Sequence, residues 1–303
     1  MPERRSNLWL WLVVGGGTLL FFTLCLLALA VLYAGGGAAG APLSFSSNQV
    51  AVIDLEGIIL DSRDFVEQLD SWGRPPGVRA LVVRINSPGG GVAASQEMFD
   101  ALRRFRAETK KKVVVSMSTV AASGGYYVAC AADRIYANPG SITGSIGVIA
   151  EWVNYSELLR WAKLQDVVFK SGEFKDTGSP SRPLTEAEKV YFQGLIDNMF
   201  SQFVRAVAEG RNMSEERVRK LADGRVFTGL EAKQSGLVDE LGALEAAVAA
   251  AGRLAGIAGK PKVVRPPKRA FTLWDLLFGD ARSALGWRPD PSEAHIRFQY
   301  LWK

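Results

Sequence analysis

The run from Val113 to Ala132 sets the strongest limit on how this chain can fold. Val113-Val114-Val115 is an unbroken β-branched stretch that reads as a buried strand, whereas Tyr126 to Ala132 is rich in alanine and reads as a helix. The handover lies at Ala122-Ser123-Gly124-Gly125, so Ser123 stands where a strand passes directly into a helix. Backbone N–H groups at a helix start lack intrahelical acceptors and carry partial positive charge, which suits a nucleophile whose attack creates an oxyanion. The two glycines let another backbone come close. A serine N-cap followed by a glycine turn accounts for the same residues equally well.

Similar alternation runs through the chain. Val50–Leu55, Arg79–Asn86 and Lys112–Ser116 read as strands, and Arg63–Trp72 and Val92–Glu108 as helices. Beyond Ser123, the short strands Arg134–Ala137, Gly147–Ile149 and Gln165–Lys170 are expected, with a helix at Tyr155–Ala162. This pattern indicates an α/β fold with a largely parallel sheet, in which reactive loops lie beyond strand C-termini. The loop Ser87-Pro88-Gly89-Gly90-Gly91 takes the same position after its strand as the Ser123 turn does after its own. From Thr185 the chain turns helical: Thr185 and Glu188 form a capping box, and the helix runs to about Glu209. Its stripe of Phe192, Leu195, Ile196, Met199 and Phe203 reads as core or subunit contact. Ser214 caps a further helix, Asp223–Phe227 turns into a short strand, and Glu231–Gln234 and Leu244–Leu254 are helical. The segment Phe271–Phe278, after a basic and proline-rich piece, is apolar with no assigned partner.

The N-terminal segment bears on where the domain would stand. Residues 1–7 are polar and include Arg4 and Arg5; from Leu8 to Tyr33 no charged residue occurs. Residues 8–34 are thus expected to span a bilayer as an uncleaved anchor, with a cleaved signal peptide ending near Ala39-Gly40-Ala41 as the rival. The positive-inside bias puts the N-terminus in the cytoplasm and the rest outside. Residues 35–48, rich in Gly, Ala and Ser, form a linker; 49–258 form the globular domain and 259–303 a tail.

Composition excludes several function classes. The net charge is +5, but the basic residues are scattered and not interleaved with aromatics, so no nucleic-acid surface is read. Cys25 and Cys130 are the two cysteines; they have no metal-type spacing and read as small packing residues, and no cofactor or metal is expected. The single histidine, His295, lies in a patternless segment, which disfavours a Ser-His-Asp triad. With Ser123 as nucleophile, a lysine is the usual substitute base. Lys163, Lys170 and Lys175 are the candidates, and Lys175 lies in a loop just past the expected strand. Such a lysine has to be neutral, through burial and lack of a carboxylate partner, and Lys175 taken alone reads first as an ordinary solvated lysine. The Gly124 N–H is one local oxyanion donor, and the Gly89–Gly91 loop is a source for a second.

Several motifs occur in a fixed order: Asn86-Ser-Pro-Gly-Gly-Gly91, Ala122-Ser-Gly-Gly-Tyr-Tyr127, Pro139-Gly-Ser-Ile-Thr-Gly-Ser-Ile-Gly-Val148, Gly172-Glu-Phe-Lys-Asp176 and Asp223-Gly-Arg-Val-Phe-Thr-Gly229. Through them the chain resembles the signal peptide peptidase A (SppA) family in its short, single-repeat bacterial form, over roughly Leu8 to Leu254. The resemblance implies a ClpP/crotonase-like fold and a Ser-Lys dyad serine endopeptidase. It matches Ser123 to the nucleophile, Lys175 to the general base, Ser145 to a serine that orients the lysine, and Gly90 and Gly124 to the oxyanion donors. It further implies remnant signal peptides and other apolar peptides as substrates, a location at the cell (inner) membrane, and a homo-oligomeric ring with sites completed between neighbours. A lysine base implies an alkaline optimum. The alternatives are a broader membrane quality-control protease, a crotonase-like acyl-CoA enzyme, and an anchored, catalytically inactive scaffold.

Overall fold

The computed structural model describes residues 16–28, 48–266 and 297–302. The chain divides into two units, Met1–Phe45 and Ser46–Lys303. Within the first, residues 16–28 form helix α1. The remainder of the expected 8–34 span lies outside the described residues, and among those described no helix is long and apolar enough to cross a membrane.

The second unit carries the α/β body. Its main sheet is built from β1 (Gln49–Glu56), β2 (Val78–Ser87), β4 (Lys112–Ala122), β5 (Arg134–Ala137) and β9 (Glu240–Leu241), with β10 (Lys262–Val264) at the far edge. The order β10-β1-β2-β4-β5-β9 is parallel throughout. Continuous β-branched runs suit it because both faces are covered. Ile53, Val83 and Val115 point to one face and pack with α3 (Val92–Thr109), α4 (Gly124–Ala129) and α6 (Glu186–Arg211). Val52, Val82 and Val114 point to the other and meet Ala247 and Ala251 of α9 (Leu244–Leu254). α6 starts with the expected capping box. Its Gly210 lies so close to α4 that a Cβ there would fall 2.2 Å from the Cys130 carbonyl oxygen. Cys130 is buried and unpaired, and burial pushes its thiol up to about 12.

Two short strands complete the site region. β6 (Ile142–Gly144) pairs parallel with the end of β4 and antiparallel with β8 (Val226–Thr228). A separate three-stranded sheet has the order β3-β11-β7, where β3 is Gly89–Gly91, β7 is Ile149–Glu151 and β11 is Arg297–Leu301.

The structure departs from the sequence reading in several places. Residues 63–73 form α2 (Arg63–Gln68) followed by a π-helical turn. The strand expected at Gly147–Ile149 begins only at Ile149. No strand forms at Gln165–Lys170: that stretch has no paired neighbour among the described residues, and its Val167, Val168 and Phe169 face solvent. The body also does not close at 258, because β10 extends the main sheet and β11 packs between β3 and β7. Phe271–Phe278 lies outside the described residues.

Candidate active site

β4 delivers Ser123 to the C-terminal edge of the sheet. Ser123 has φ +51° and ψ −115°, a conformation that L-residues other than glycine rarely adopt. Such backbone costs about 1–3 kcal/mol and persists where its surroundings over-determine it. Two hydrogen bonds hold the turn: Ser123 N–H donates to the Gly144 carbonyl, and Tyr127 N–H donates to the Ser123 carbonyl, each at 2.8 Å. The Ser123 hydroxyl makes no capping bond to α4. The strained turn presents this hydroxyl rather than spending it on the helix, so the N-cap reading is set aside. The residue is 1% exposed.

Ser145 is brought beside it by strand pairing. β6 runs parallel to β4 with Ala122 opposite Gly144, so the residues that follow, Ser123 and Ser145, emerge side by side. Ser145 also has φ +51°, and its N–H donates to the Arg225 carbonyl at 2.8 Å. It lines an open cleft with Ile146, Ile149 and Phe200.

The glycine loop meets the serine turn because β2 and β4 are neighbours, with Ser87 opposite Ala121. A Cβ on Gly89 would lie 2.6 Å from the Gly124 nitrogen, which measures how closely the two turns approach. Ile59 fixes the loop from behind: its N–H donates to the Gly89 carbonyl at 2.8 Å and its carbonyl accepts from Gly91 N–H at 2.7 Å. Gly90, bridged between these bonds, turns its own N–H to the opposite side. A Cβ on Gly90 would fall 2.0 Å from the Ile59 carbonyl oxygen, so only glycine fits. Gly90 and Gly124 thus stand at adjoining turns next to Ser123.

Lys175 is placed differently. It sits on a 3₁₀ turn, Glu173–Asp176, and is exposed to solvent. Among the described residues no hydrogen bond or ion pair joins its ammonium to Ser123 or Ser145. Asp176 is taken by Lys170 at 2.6 Å and by Arg182 at 2.9 Å, and Arg182 also grips Glu188. These cations hold the Asp176 carboxyl well below the usual range, and the Arg182 guanidinium brings Glu188 down to about 2. Lys170 is thereby committed to a carboxylate, while Lys175 has none among the described residues. Lys163 ends α5 (Ser156–Trp161) in an exposed, left-handed position. His295 lies outside the described residues.

Sequence reasoning missed the strained backbone at Ser123 and Ser145, which no residue type announces. It also missed Tyr300 of β11, which is buried against the loop; the alternation Arg297-Phe298-Gln299-Tyr300 was the available strand signal.

A serine on a strained strand-to-helix turn, with a glycine loop closely approaching it at the C-terminal edge of a parallel sheet, is an arrangement that suits acyl-transfer chemistry. Residues 105–258 match peptidase family S49, and the chain belongs to that family. It is 47% identical over 178 residues to a candidate protease of Synechocystis sp., covering 59% of this chain and 64% of that relative. It is 38% identical over 204 residues to a candidate protease of Methanocaldococcus jannaschii, covering 67% and 65%. It is 33% identical over 216 residues to a candidate signal peptide peptidase SppA of Enterococcus faecium, covering 67% and 62%. The matched region is less than two thirds of the length of each of these relatives.

Proposed function

We propose that this protein is a serine endopeptidase of the SppA type, with a ClpP/crotonase-like fold, that hydrolyses apolar peptides, remnant signal peptides among them, at a membrane. The observation that carries this reading is Ser123, strained at φ +51° with its hydroxyl left out of the helix cap. Lys175 acts as the base and is supplied by a neighbouring copy in a ring. Support comes from its exposure with no carboxylate partner among the described residues, on an arm whose Trp161 and Phe169 are 83% and 96% exposed. Covering such side chains would be a gain on assembly. Residues 8–34 anchor the chain, with the N-terminus cytoplasmic and the body outside.

In the proposed reaction, neutral Lys175 Nζ takes the Ser123 proton and Oγ adds to the peptide carbonyl carbon. The N–H groups of Gly90 and Gly124 hold the oxyanion, and Ser145 Oγ orients the lysine. The lysine returns its proton to the departing amine as the C–N bond breaks, and water then releases the acyl group from Ser123.

The test mixes full-length Ser123→Ala and Lys175→Ala chains in detergent, with subunits exchanged, and follows cleavage of an apolar signal-type peptide. Each variant alone is expected to be inert. Mixing restores activity because one interface regains both groups. Failure to restore activity argues for a dyad within one chain, and full activity of Lys175→Ala alone removes lysine as the base.

A further inference from the structure

We infer that Ser95, near the start of α3, is a positioning residue: its hydroxyl spaces the glycine loop from the serine turn and so sets the distance between the Gly90 and Gly124 N–H groups. This role rests on the serine-peptidase reading above. Ser95 acts through the two loops and not on the reacting atoms.

Where the loop and the turn meet, neither has a side chain. A Cβ on Gly124 would fall 3.2 Å from the Gly89 Cα, and glycine facing glycine leaves the separation to be fixed by what surrounds the seam. Two buried serines, Ser87 and Ser95, do this. The Ser87 carbonyl oxygen lies 3.0 Å from where a Cβ on Gly125 would stand. Ser95 Oγ lies 2.5 Å from where a Cβ on Gly124 would stand, and the same hydroxyl donates to the Gly91 carbonyl at 2.9 Å. One buried oxygen is therefore bonded to the first donor-bearing loop and packed on the second. A serine hydroxyl bonded to the carbonyl four residues back is by itself a local feature of helices. The contact with Gly124 makes this one long-range, because Ser95 belongs to α3 and Gly124 to α4.

The other polar groups of the loop show what this bond contributes. Gly89 N–H donates to Ser87 Oγ at 3.1 Å, and the Gly89 carbonyl and Gly91 N–H are both taken by Ile59. With Ser95 on the Gly91 carbonyl, every polar backbone group of Gly89 and Gly91 has a partner, and Gly90 between them is held with its N–H turned away from Ile59. Loss of the hydroxyl leaves the Gly91 carbonyl without that donor and opens a void against Gly124. The loop can then close on the turn or draw back from it. Oxyanion donors work only at the position where charge develops, and a misplacement of about 1 Å costs on the order of a hundredfold in rate. Ground-state binding does not use the oxyanion, so kcat falls while KM holds.

The test uses the full chain in detergent with Ser95→Ala, Ser95→Thr, Gly124→Ala and the Ser95→Ala/Gly124→Ala pair. The substrate is an apolar signal-type peptide, and the probe is a peptide aldehyde of the same sequence, whose adduct with a serine carries an oxyanion. Ser95→Ala is expected to lower kcat about ten- to a hundredfold with KM within about twofold, and to weaken the aldehyde by a matching factor. Ser95→Thr keeps the hydroxyl and should restore most of kcat. In Gly124→Ala the new methyl meets Ser95 Oγ at 2.5 Å, so removing the hydroxyl in that background should cost nothing further or regain activity. Unchanged kcat in Ser95→Ala, a loss confined to KM, or additive losses in the pair each overturn the inference while the parent's hydrolysis leaves the peptidase reading intact. A parent that hydrolyses no peptide and binds no aldehyde removes the peptidase reading, and the role of Ser95 with it. Should Ser95→Ala not fold, Ser95→Cys decides. Its larger sulfur keeps a weak donor but presses on Gly124, so kcat should fall at constant KM, and unchanged kcat overturns the inference.

Discussion

The serine turn and the lysine arm of this molecule are built by opposite rules. Ser123 and Ser145 lie at the ends of paired strands, buried at 1% and 7% exposure, with left-handed backbone that hydrogen bonds to Gly144 and Arg225 hold in place. The arm around Lys175 lacks a strand or a buried apolar face, and an ion-pair cluster of Lys170, Asp176, Arg182 and Glu188 holds its base. The serine turn is completed by the chain's own core. The arm offers its lysine and its apolar side chains to solvent. The difference teaches that a region ordered by strand pairing encloses its polar side chains, whereas one ordered by ion pairs leaves its lysine and apolar side chains in solvent.

Changes at the turn should have the largest effects. Ser123→Gly is expected to lower kcat/KM at least about a thousandfold. It should also raise stability by about 1–3 kcal/mol, since glycine accepts φ +51° without strain; denaturant midpoints check this. A loss of stability instead would break the claim that the turn is strained. Gly90→Ala places a methyl 2.0 Å from the Ile59 carbonyl. It should lose most activity and about 1–3 kcal/mol of stability, read by turnover and thermal melting.

Changes on the arm should instead register in assembly. Phe169→Glu, at a residue 96% exposed, should leave the monomer's melting unchanged and shift the sedimentation profile toward smaller species. Loss of monomer stability would show that the arm packs on its own body. Acidification sharpens the contrast further. Asp176 and Glu188 have pKa values depressed in the folded state, so their contribution is fully present above the unfolded values near about 4 and is lost as pH falls toward the folded value of about 2 for Glu188. Trp161 fluorescence should report loosening of the arm in that window, and unchanged emission would count against the clamp. The smallest effect is expected for Gly172→Ala. Its Cβ meets nothing within 4 Å, so stability should change by less than about 0.5 kcal/mol, measured by chemical denaturation.

Much of this arrangement was legible beforehand, and the residues show why. Val113–Val115 is readable because a strand covered on both faces needs an unbroken apolar run, and Thr185 with Glu188 because a capping box is a local pair. Gln165–Lys170 misled because Val167-Val168-Phe169 has strand-forming residues and no strand beside it in this chain. Apolar composition records that a surface is to be covered without recording by what. Tyr300 was missed because its partners, Tyr127 and Phe203, are remote in sequence.

The sequence by itself determined the α/β alternation, the two glycine-bearing turns and the membership in peptidase family S49, all of which rest on local pattern and motif order. Only the tertiary structure decided that Ser123 is strained and uncapped, that β6 sets Ser145 beside it, that Asp176 is spent on Lys170 and Arg182, and that β11 fills the gap between β3 and β7. These are pairings between distant segments, fixed by sheet register and by competition for partners, and neither is encoded in any short stretch of chain.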